Sequence, residues 1–226
     1  MRWLVLPLAA VAALALRHRM LRWGATPAEV AAEYPGDTLV PAPTGCSTMA
    51  TTLEAPRETV WCWLVQMGAD RAGWYSWDRL DNGGRPSATR IVPKWQDLCV
   101  GDRVSATVDG RMYFTVAIID RPTTLVLRSD LTLPSGRPFD PRGPLPRMFT
   151  QGVWGFHLIE LPGGRTRLVV RTIGRDAPRP LMAVTDFLVG QPAHLIMQAR
   201  QFANLRRRLG AAENTQASAG VVSDHR

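Results

Sequence analysis

Histidine and aspartate are the side chains that could carry acid–base chemistry in this sequence. The four histidines are His18, His157, His194 and His225, and no two of them have the spacing of metal ligands. His194 stands at the start of the last helical pattern, where it suits either proton transfer or a hydrogen bond at the helix start. Asp78 follows a run of aromatic residues and is the second candidate for an acid–base role.

Short motifs that specify a reaction are absent from the sequence. It has no G-x-S-x-G, no H-E-x-x-H, no P-loop and no complete G-x-G-x-x-G. The three cysteines, Cys46, Cys62 and Cys99, are odd in number and form no CxxC pair, which disfavours a disulfide framework and a zinc site. We therefore expect no metal and no cofactor.

The segment 74–78 is rich in aromatic residues, with Trp74, Tyr75 and Trp77. Aromatic side chains that carry one polar atom suit a pocket for a flat apolar ligand. Asp78 and Asn82 lie about one helical turn apart and could orient a polar head group. Alternatively, Asp78 caps the local turn and pairs with a neighbouring arginine.

The formal net charge of +8 over 226 residues would suit a nucleic-acid partner, but the distribution of the charge argues against one. All but one of the 27 cations are arginine, and the exception is Lys94. Four arginines lie within residues 1–23, which hold no acidic residue, and three more close the last helical pattern at 206–208. We expect no nucleic-acid partner.

Residues 4–16 are thirteen apolar residues without a charge, which is shorter than the ~20 of a typical membrane span. They could form a short membrane anchor, a secretory segment cleaved after 13–15, or the remainder of a longer anchor. The arginines that follow at 17, 19 and 22 favour an anchor with the domain on the cytoplasmic side. We expect residues 1–23 to associate with a membrane, with a purely cytoplasmic protein as the alternative.

The middle of the chain reads as strands with one early helix. Residues 55–68 predict a mostly buried helix that begins at Pro56 and stops at Gly68. Strands are predicted at 47–54, 102–108, 113–120, 123–130, 152–161 and 165–174. Turn signals at 109–110 and 162–164 join consecutive strands without intervening helices, which indicates an antiparallel sheet.

The last helix carries an apolar stripe of Leu195, Ala199, Phe202, Leu205 and Leu209 at steps of three and four. Gln191 precedes a proline, so we expect a kink or break there. The order strand, helix, sheet, long helix predicts an α+β fold in which one helix packs on an antiparallel sheet.

Several strings, in this order, resemble the SRPBCC or START-like superfamily, also called the helix-grip or polyketide cyclase/dehydrase-like fold. The resemblance is to its membrane-associated bacterial branch and covers about residues 22–209. The matching strings are RWGATPAEV (22–30), PGDTLVP (35–41), APRETVWCWLVQMG (55–68), GWYSWDRLDN (73–82), RIVPKWQDLCVGDRV (90–104), WGFHL (154–158), TRLVVR (166–171) and QPAHLIMQARQFANLRRR (191–208).

This resemblance implies a curved antiparallel sheet wrapped around a long C-terminal helix, with a cavity for an apolar ligand between them. It also divides the chain into an apolar segment at 1–23, a lead-in at 24–45, the domain at 46–209 and a disordered tail at 210–226. The cavity-lining candidates are Trp74, Tyr75, Trp77, Asp78, Trp154, Phe156, Leu158, Leu195, Ala199 and Phe202. On strand 152–161, the bulky alternate residues should face the helix.

Three functions are compatible with this sequence. The first is binding or carriage of a small hydrophobic molecule, lipid-, quinone- or polyketide-like, beside a membrane. The second is a cyclase or dehydratase that acts on a polyketide-like substrate, with Asp78 and His194 as its acid–base candidates. The third is a structural or interaction domain whose core is filled by its own tryptophans. The sequence does not indicate an oligomeric state.

Overall fold

The computed structural model describes residues 13–223, with side chains as far as 211. Its centre is a seven-stranded sheet in which every pairing is antiparallel. A long C-terminal helix packs against this sheet, so the predicted α+β class is confirmed.

The strands follow the predicted positions closely. They are β1 (Gly45–Leu53), β2 (Arg103–Ser105), β3 (Tyr113–Asp120), β4 (Thr124–Thr132), β5 (Arg137–Pro138), β6 (Phe149–Leu161) and β7 (Arg165–Ala177). Their spatial order is β1-β7-β6-β4-β3-β2, and β5 pairs with β4. Strands β6 and β7 form the longest hairpin, with Phe149 opposite Ala177 and Leu161 opposite Arg165.

Six α-helices accompany the sheet within the described residues. They are α1 (13–20 of the described part), α2 (Pro27–Ala31), α3 (Arg57–Val65), α4 (Asp78–Asp81), α5 (Arg179–Thr185) and α6 (Gln191–Ser223). Short 3-10 turns lie at Asp37–Leu39 and Pro93–Trp95. Helix α6 thus includes much of 210–226, which the sequence predicts to be a tail.

One face of the sheet packs against helices α3 and α6. Its large core joins Trp63 and Leu64 of α3 to Phe202 and Leu205 of α6. From strand β6, the bulky alternate residues Trp154, Phe156 and Leu158 belong to this core, as the pattern predicts.

The opposite face of the sheet is also covered, because the lead-in segment 24–40 lies across it. A second apolar cluster there consists of Val40, Val126, Val153 and Ile173. The backbone approaches this face closely at Gly36, whose φ is +102° and where an added Cβ would lie 2.9 Å from a methyl carbon of Val126. The sheet therefore has no large solvent-facing surface at its centre.

We expected a kink or break at Gln191, but the helix continues through this residue. It keeps helical backbone angles, and a π-helical turn at Asp186–Gly190 joins α5 to α6 without interruption. A π turn widens the helix, and this is a known way to accommodate the ring of a proline such as Pro192 and its missing N–H. The kink predicted from the sequence is replaced by this local widening.

Within the described residues, no helix combines the length and the apolar composition that a membrane crossing needs. Most of the apolar run 4–16 lies outside the described residues.

Candidate functional site

A cavity of about 320 Å³ lies on the α6 side of the sheet. Strands β6 and β7, helix α6 and the segment 74–81 contribute most of its wall. Its lining includes Trp74, Ser76, Asp81, Phe114, Trp154, His194, Met197, Gln198 and Gln201. This volume is within the range of small-molecule pockets, ~300–1,000 Å³.

Aromatic rings form the apolar part of the cavity wall. Trp74 stacks on Trp154 with ring centroids 5.4 Å apart, and Phe114 contacts both indoles at 5.6 and 5.8 Å. Behind them, Phe156 lies 4.8 Å from Trp154. Offset and edge-to-face contacts of this kind are favourable and restrict the orientation of the rings in the cavity wall.

Helix α6 fixes the segment that carries Trp74. The side-chain amide of Gln201 donates to the carbonyl of Trp74 at 2.9 Å, and that of Asn204 donates to the carbonyl of Tyr75 at 2.8 Å. In return, the hydroxyl of Ser76 donates to the carbonyl of Met197 on α6 at 3.1 Å. A row of buried polar side chains on one helix thus holds an irregular loop in place.

Three side chains of the cavity carry buried polar atoms without a hydrogen-bond partner among the described residues. They are both carboxylate oxygens of Asp81, Oε1 of Gln198 and the indole N–H of Trp154. Leaving such an atom unpaired costs ~1–3 kcal/mol, and folded proteins contain few of them. These atoms are therefore candidates to bind the polar group of a ligand.

Asp81 is the cavity residue best suited to proton transfer. Burial raises its pKa to about 6, the negative charge of Asp78 contributes to this rise, and the neighbouring hydroxyl of Ser76 opposes it. A carboxyl group with such a pKa changes its protonation close to neutral pH, as general acids and bases require.

His194 lies where the cavity meets a second pocket. Burial lowers the pKa of His194, so its ring is neutral at neutral pH, and its Nε2 is 3.5 Å from the hydroxyl of Thr172. The second pocket has a volume of about 490 Å³ and lies among α1, α5, the π turn and the adjoining ends of β1, β6 and β7. Gly152, Thr172 and His194 line both spaces.

The structure brings together some of the predicted site residues and separates others. Trp74, Trp154 and His194 line the cavity. Tyr75, Phe156, Leu158 and Phe202 are buried in the core, and Leu195 packs against that core, while Ala199 is half-buried on α6.

Two predicted residues lie elsewhere. Trp77 is 43% exposed, and the guanidinium of Arg200 stacks over its ring at 4.8 Å. Asp78 accepts hydrogen bonds from the hydroxyl and backbone N–H of Ser87, so its side-chain partner is a serine and not the arginine that the structural alternative predicted. Neither residue is part of the cavity lining.

Four further residues that line the cavity were not predicted from the sequence: Asp81, Phe114, Gln198 and Gln201. The sequence does not distinguish Asp81 from Asp78, because the two carboxylates are three residues apart and differ only in the helix face on which they lie. The available signal for the glutamines was their spacing, because Gln198 and Gln201 lie three residues apart next to the apolar stripe of α6. Polar residues at that position must be paired or face a cavity.

In the part of the chain that the structure describes, no three His, Cys, Asp or Glu side chains are grouped so that they could hold a metal ion. The chain matches no protein-family model and no curated protein.

Several solved structures are similar to this chain. A Nitrosomonas europaea protein is 16% identical, with 74% of this chain and 95% of that protein covered and a TM-score of 0.44. A Mesorhizobium loti protein is 18% identical, with coverages of 74% and 98% and a TM-score of 0.42. DynU16, from the dynemicin biosynthetic locus, is 15% identical, with coverages of 75% and 49% and a TM-score of 0.39. At these identities and TM-scores the matches give no information on function.

Proposed function

We propose that this protein binds or carries a small hydrophobic molecule in the cavity between its sheet and helix α6. The observation that carries this proposal is the cavity itself, with Trp74, Phe114 and Trp154 as its aromatic wall. A domain filled by its own tryptophans would leave no such space. Carriage needs a pocket and no catalytic set, which matches a site with few titratable groups.

Filling the cavity tests this proposal. Met197 and Ile196 are neighbours on α6, but Met197 lines the cavity, whereas Ile196 is 56% exposed. We expect N-phenyl-1-naphthylamine, an apolar dye that fluoresces outside water, to bind the wild-type protein. Met197→Trp should weaken this binding at least tenfold because the indole occupies the space, and Ile196→Trp should leave it unchanged.

Two outcomes would contradict carriage in this cavity. Equal dye binding by Met197→Trp and Ile196→Trp would mean that the dye sits elsewhere. No binding to the folded wild-type protein would favour a structural domain.

A proton-transfer enzyme is the second candidate, because Asp81 and His194 line one cavity. In a dehydratase, the neutral ring of His194 would take a proton from a substrate carbon while a protonated Asp81 gave one to the departing hydroxyl, which leaves as water. Native mass spectrometry of protein purified from cells tests this. The wild type should then retain a molecule lighter by one water than the molecule retained by Asp81→Asn, whereas a carrier retains the same molecule in both.

We further propose that the pocket entrance faces a membrane. The α5 and π-turn residues Leu181, Val184, Phe187, Leu188 and Val189 form an exposed apolar patch beside the second pocket. Helix α1, which contains the last residues of the apolar run 4–16, is tied to the same place by a 2.9 Å hydrogen bond from Arg17 to Gln191. Apolar side chains next to arginines are typical of helices that lie in a bilayer interface.

A further inference from the structure

We propose that the ligand of this cavity is an aromatic molecule that carries a hydroxyl group, held by Trp154, Gln198 and Asp81. This inference rests on the proposed binding function and specifies the chemistry of the bound molecule. It starts from the unpaired polar atoms of these three side chains.

The direction of the hydrogen bonds on α6 determines what Gln198 can offer. The amide N–H of Gln201 donates to the carbonyl of Trp74 at 2.9 Å, so the oxygen of Gln201 is free to accept. The amide N–H of Gln198 donates to that oxygen at 2.8 Å. Oε1 of Gln198 is therefore left as an acceptor without a donor, on a residue that is only 2% exposed.

The other two side chains complete a mixed set. The indole N–H of Trp154 can only donate, while an ionised Asp81 can only accept. A hydroxyl group is the smallest group that satisfies both kinds of partner, since its oxygen accepts from Trp154 and its hydrogen is donated to Gln198 or Asp81. The aromatic wall of Trp74 and Phe114 provides the surface for a flat ring.

Charged alternatives fit less well. A carboxylate would meet Asp81, and no arginine or lysine among the described residues lines the cavity to compensate for its charge. An ammonium group would satisfy Asp81 and Gln198 but would leave the indole N–H of Trp154 unpaired.

A pair of probes of equal shape tests the hydroxyl group. In 2-naphthol a hydroxyl replaces the methyl group of 2-methylnaphthalene. We expect calorimetric titration to show that the wild-type protein binds 2-naphthol about tenfold more tightly, as one or two hydrogen bonds give. Without such hydrogen bonds, 2-naphthol should bind more weakly than 2-methylnaphthalene, because it is the more water-soluble of the two probes.

Three variants assign the preference to the cavity. Trp154→Phe keeps a ring but removes the N–H, and Gln198→Met keeps the length but removes the acceptor, so each should reduce the preference to threefold or less. The control is Trp61→Phe, since the N–H of Trp61 is also buried and unpaired but lies outside the cavity lining. It should keep the tenfold preference.

Comparing two probes on the same variant protects the test from misfolding, because a loss of folded protein weakens both affinities equally. A wild type that binds both probes without preference, or a preference that survives in both cavity variants, overturns the inference and leaves the binding function standing. A wild type that binds neither probe overturns both.

Discussion

Arg167 of strand β7 and Glu29 of helix α2 form a bidentate ion pair, with Nε 2.7 Å from Oε1 and Nη2 2.8 Å from Oε2. The same carboxylate accepts the backbone N–H of Thr26 at 2.7 Å and so closes the capping box of α2. One side chain therefore both caps the helix and attaches the lead-in segment to the outer face of the sheet.

Glu29→Gln should lower the free energy of unfolding by about 1–2 kcal/mol, because it keeps the shape and the cap acceptor but removes the charge. Urea unfolding at pH 7 measures this, and exposed Glu33→Gln is the control. Arg167 lowers the pKa of Glu29, so the ion pair contributes fully above the ordinary value of 4.5 and its contribution is lost as the pH falls below that value. The free energies of unfolding of the wild type and Glu29→Gln should therefore converge at acidic pH. Equal stability of the two proteins at pH 7 would contradict the prediction.

His157 should make the fold sensitive to mild acid. Its ring is buried on the outer face against Tyr34, with centroids 4.7 Å apart, and burial lowers its pKa to about 4. The unfolded chain binds the proton first, near pH 6.5, so stability should be full above that pH and fall towards pH 4. The slope from this one group is at most ~1.4 kcal/mol per pH unit.

His157→Leu should flatten this part of the stability curve, measured by urea unfolding from pH 4 to 7.5. Some slope should remain, because burial also lowers the pKa of His194. A variant curve parallel to that of the wild type would show that His157 titrates at the same pH in the folded and unfolded protein, which contradicts the prediction.

Phe202→Ala should destabilise the protein by about 3–5 kcal/mol, the usual cost of an emptied aromatic site in a core. Phe202 is fully buried and stacks on Trp23, with ring centroids 5.9 Å apart. Through this ring, helix α6 contacts the residue just before the lead-in segment. Ile196→Ala on the same helix should cost less than 1 kcal/mol, since Ile196 is exposed. If the two variants unfold at the same temperature, Phe202 does not have the stabilising core role that we predict.

The apolar patch on α5 and the π turn can be tested with vesicles of phosphatidylcholine and phosphatidylglycerol. The double variant Leu188→Glu, Val189→Glu should reduce co-sedimentation of the full chain several-fold, because charged side chains resist burial in a bilayer. Ile159→Glu is the control, an exposed apolar residue at the end of β6 outside the patch. If the double variant and Ile159→Glu co-sediment with the vesicles to the same extent, the patch is not a membrane contact.

The fold was largely predictable from local signals. Strand alternation placed β6 and β7 and identified Trp154, Phe156 and Leu158 as the residues facing the helix. The start of α2 likewise coincides with a local signal, Thr26 at the N-cap followed by Pro27. These features depend on neighbours in sequence, which a pattern records directly.

The site was less predictable because its geometry depends on distant contacts. Nothing local distinguishes Asp78, bound to Ser87, from Asp81 at the cavity, since the difference is which face of a four-residue helix meets α6. Likewise, Gln198 acquires a free acceptor only through Gln201 and the carbonyl of Trp74, which is far away in the chain.

The lead-in across the outer face of the sheet has a consequence for any shortened version of this protein. A chain that began at Gly45 would retain all seven strands but would uncover Val126, Val153 and Ile173 together with the buried ring of His157. Arg167 and Arg171 would also lose Glu29 and Asp37, their partners in ion pairs. Such a fragment would expose apolar valine and isoleucine side chains beside guanidinium groups without an ionic partner. It should therefore aggregate and bind acidic proteins non-specifically instead of behaving as an independent module.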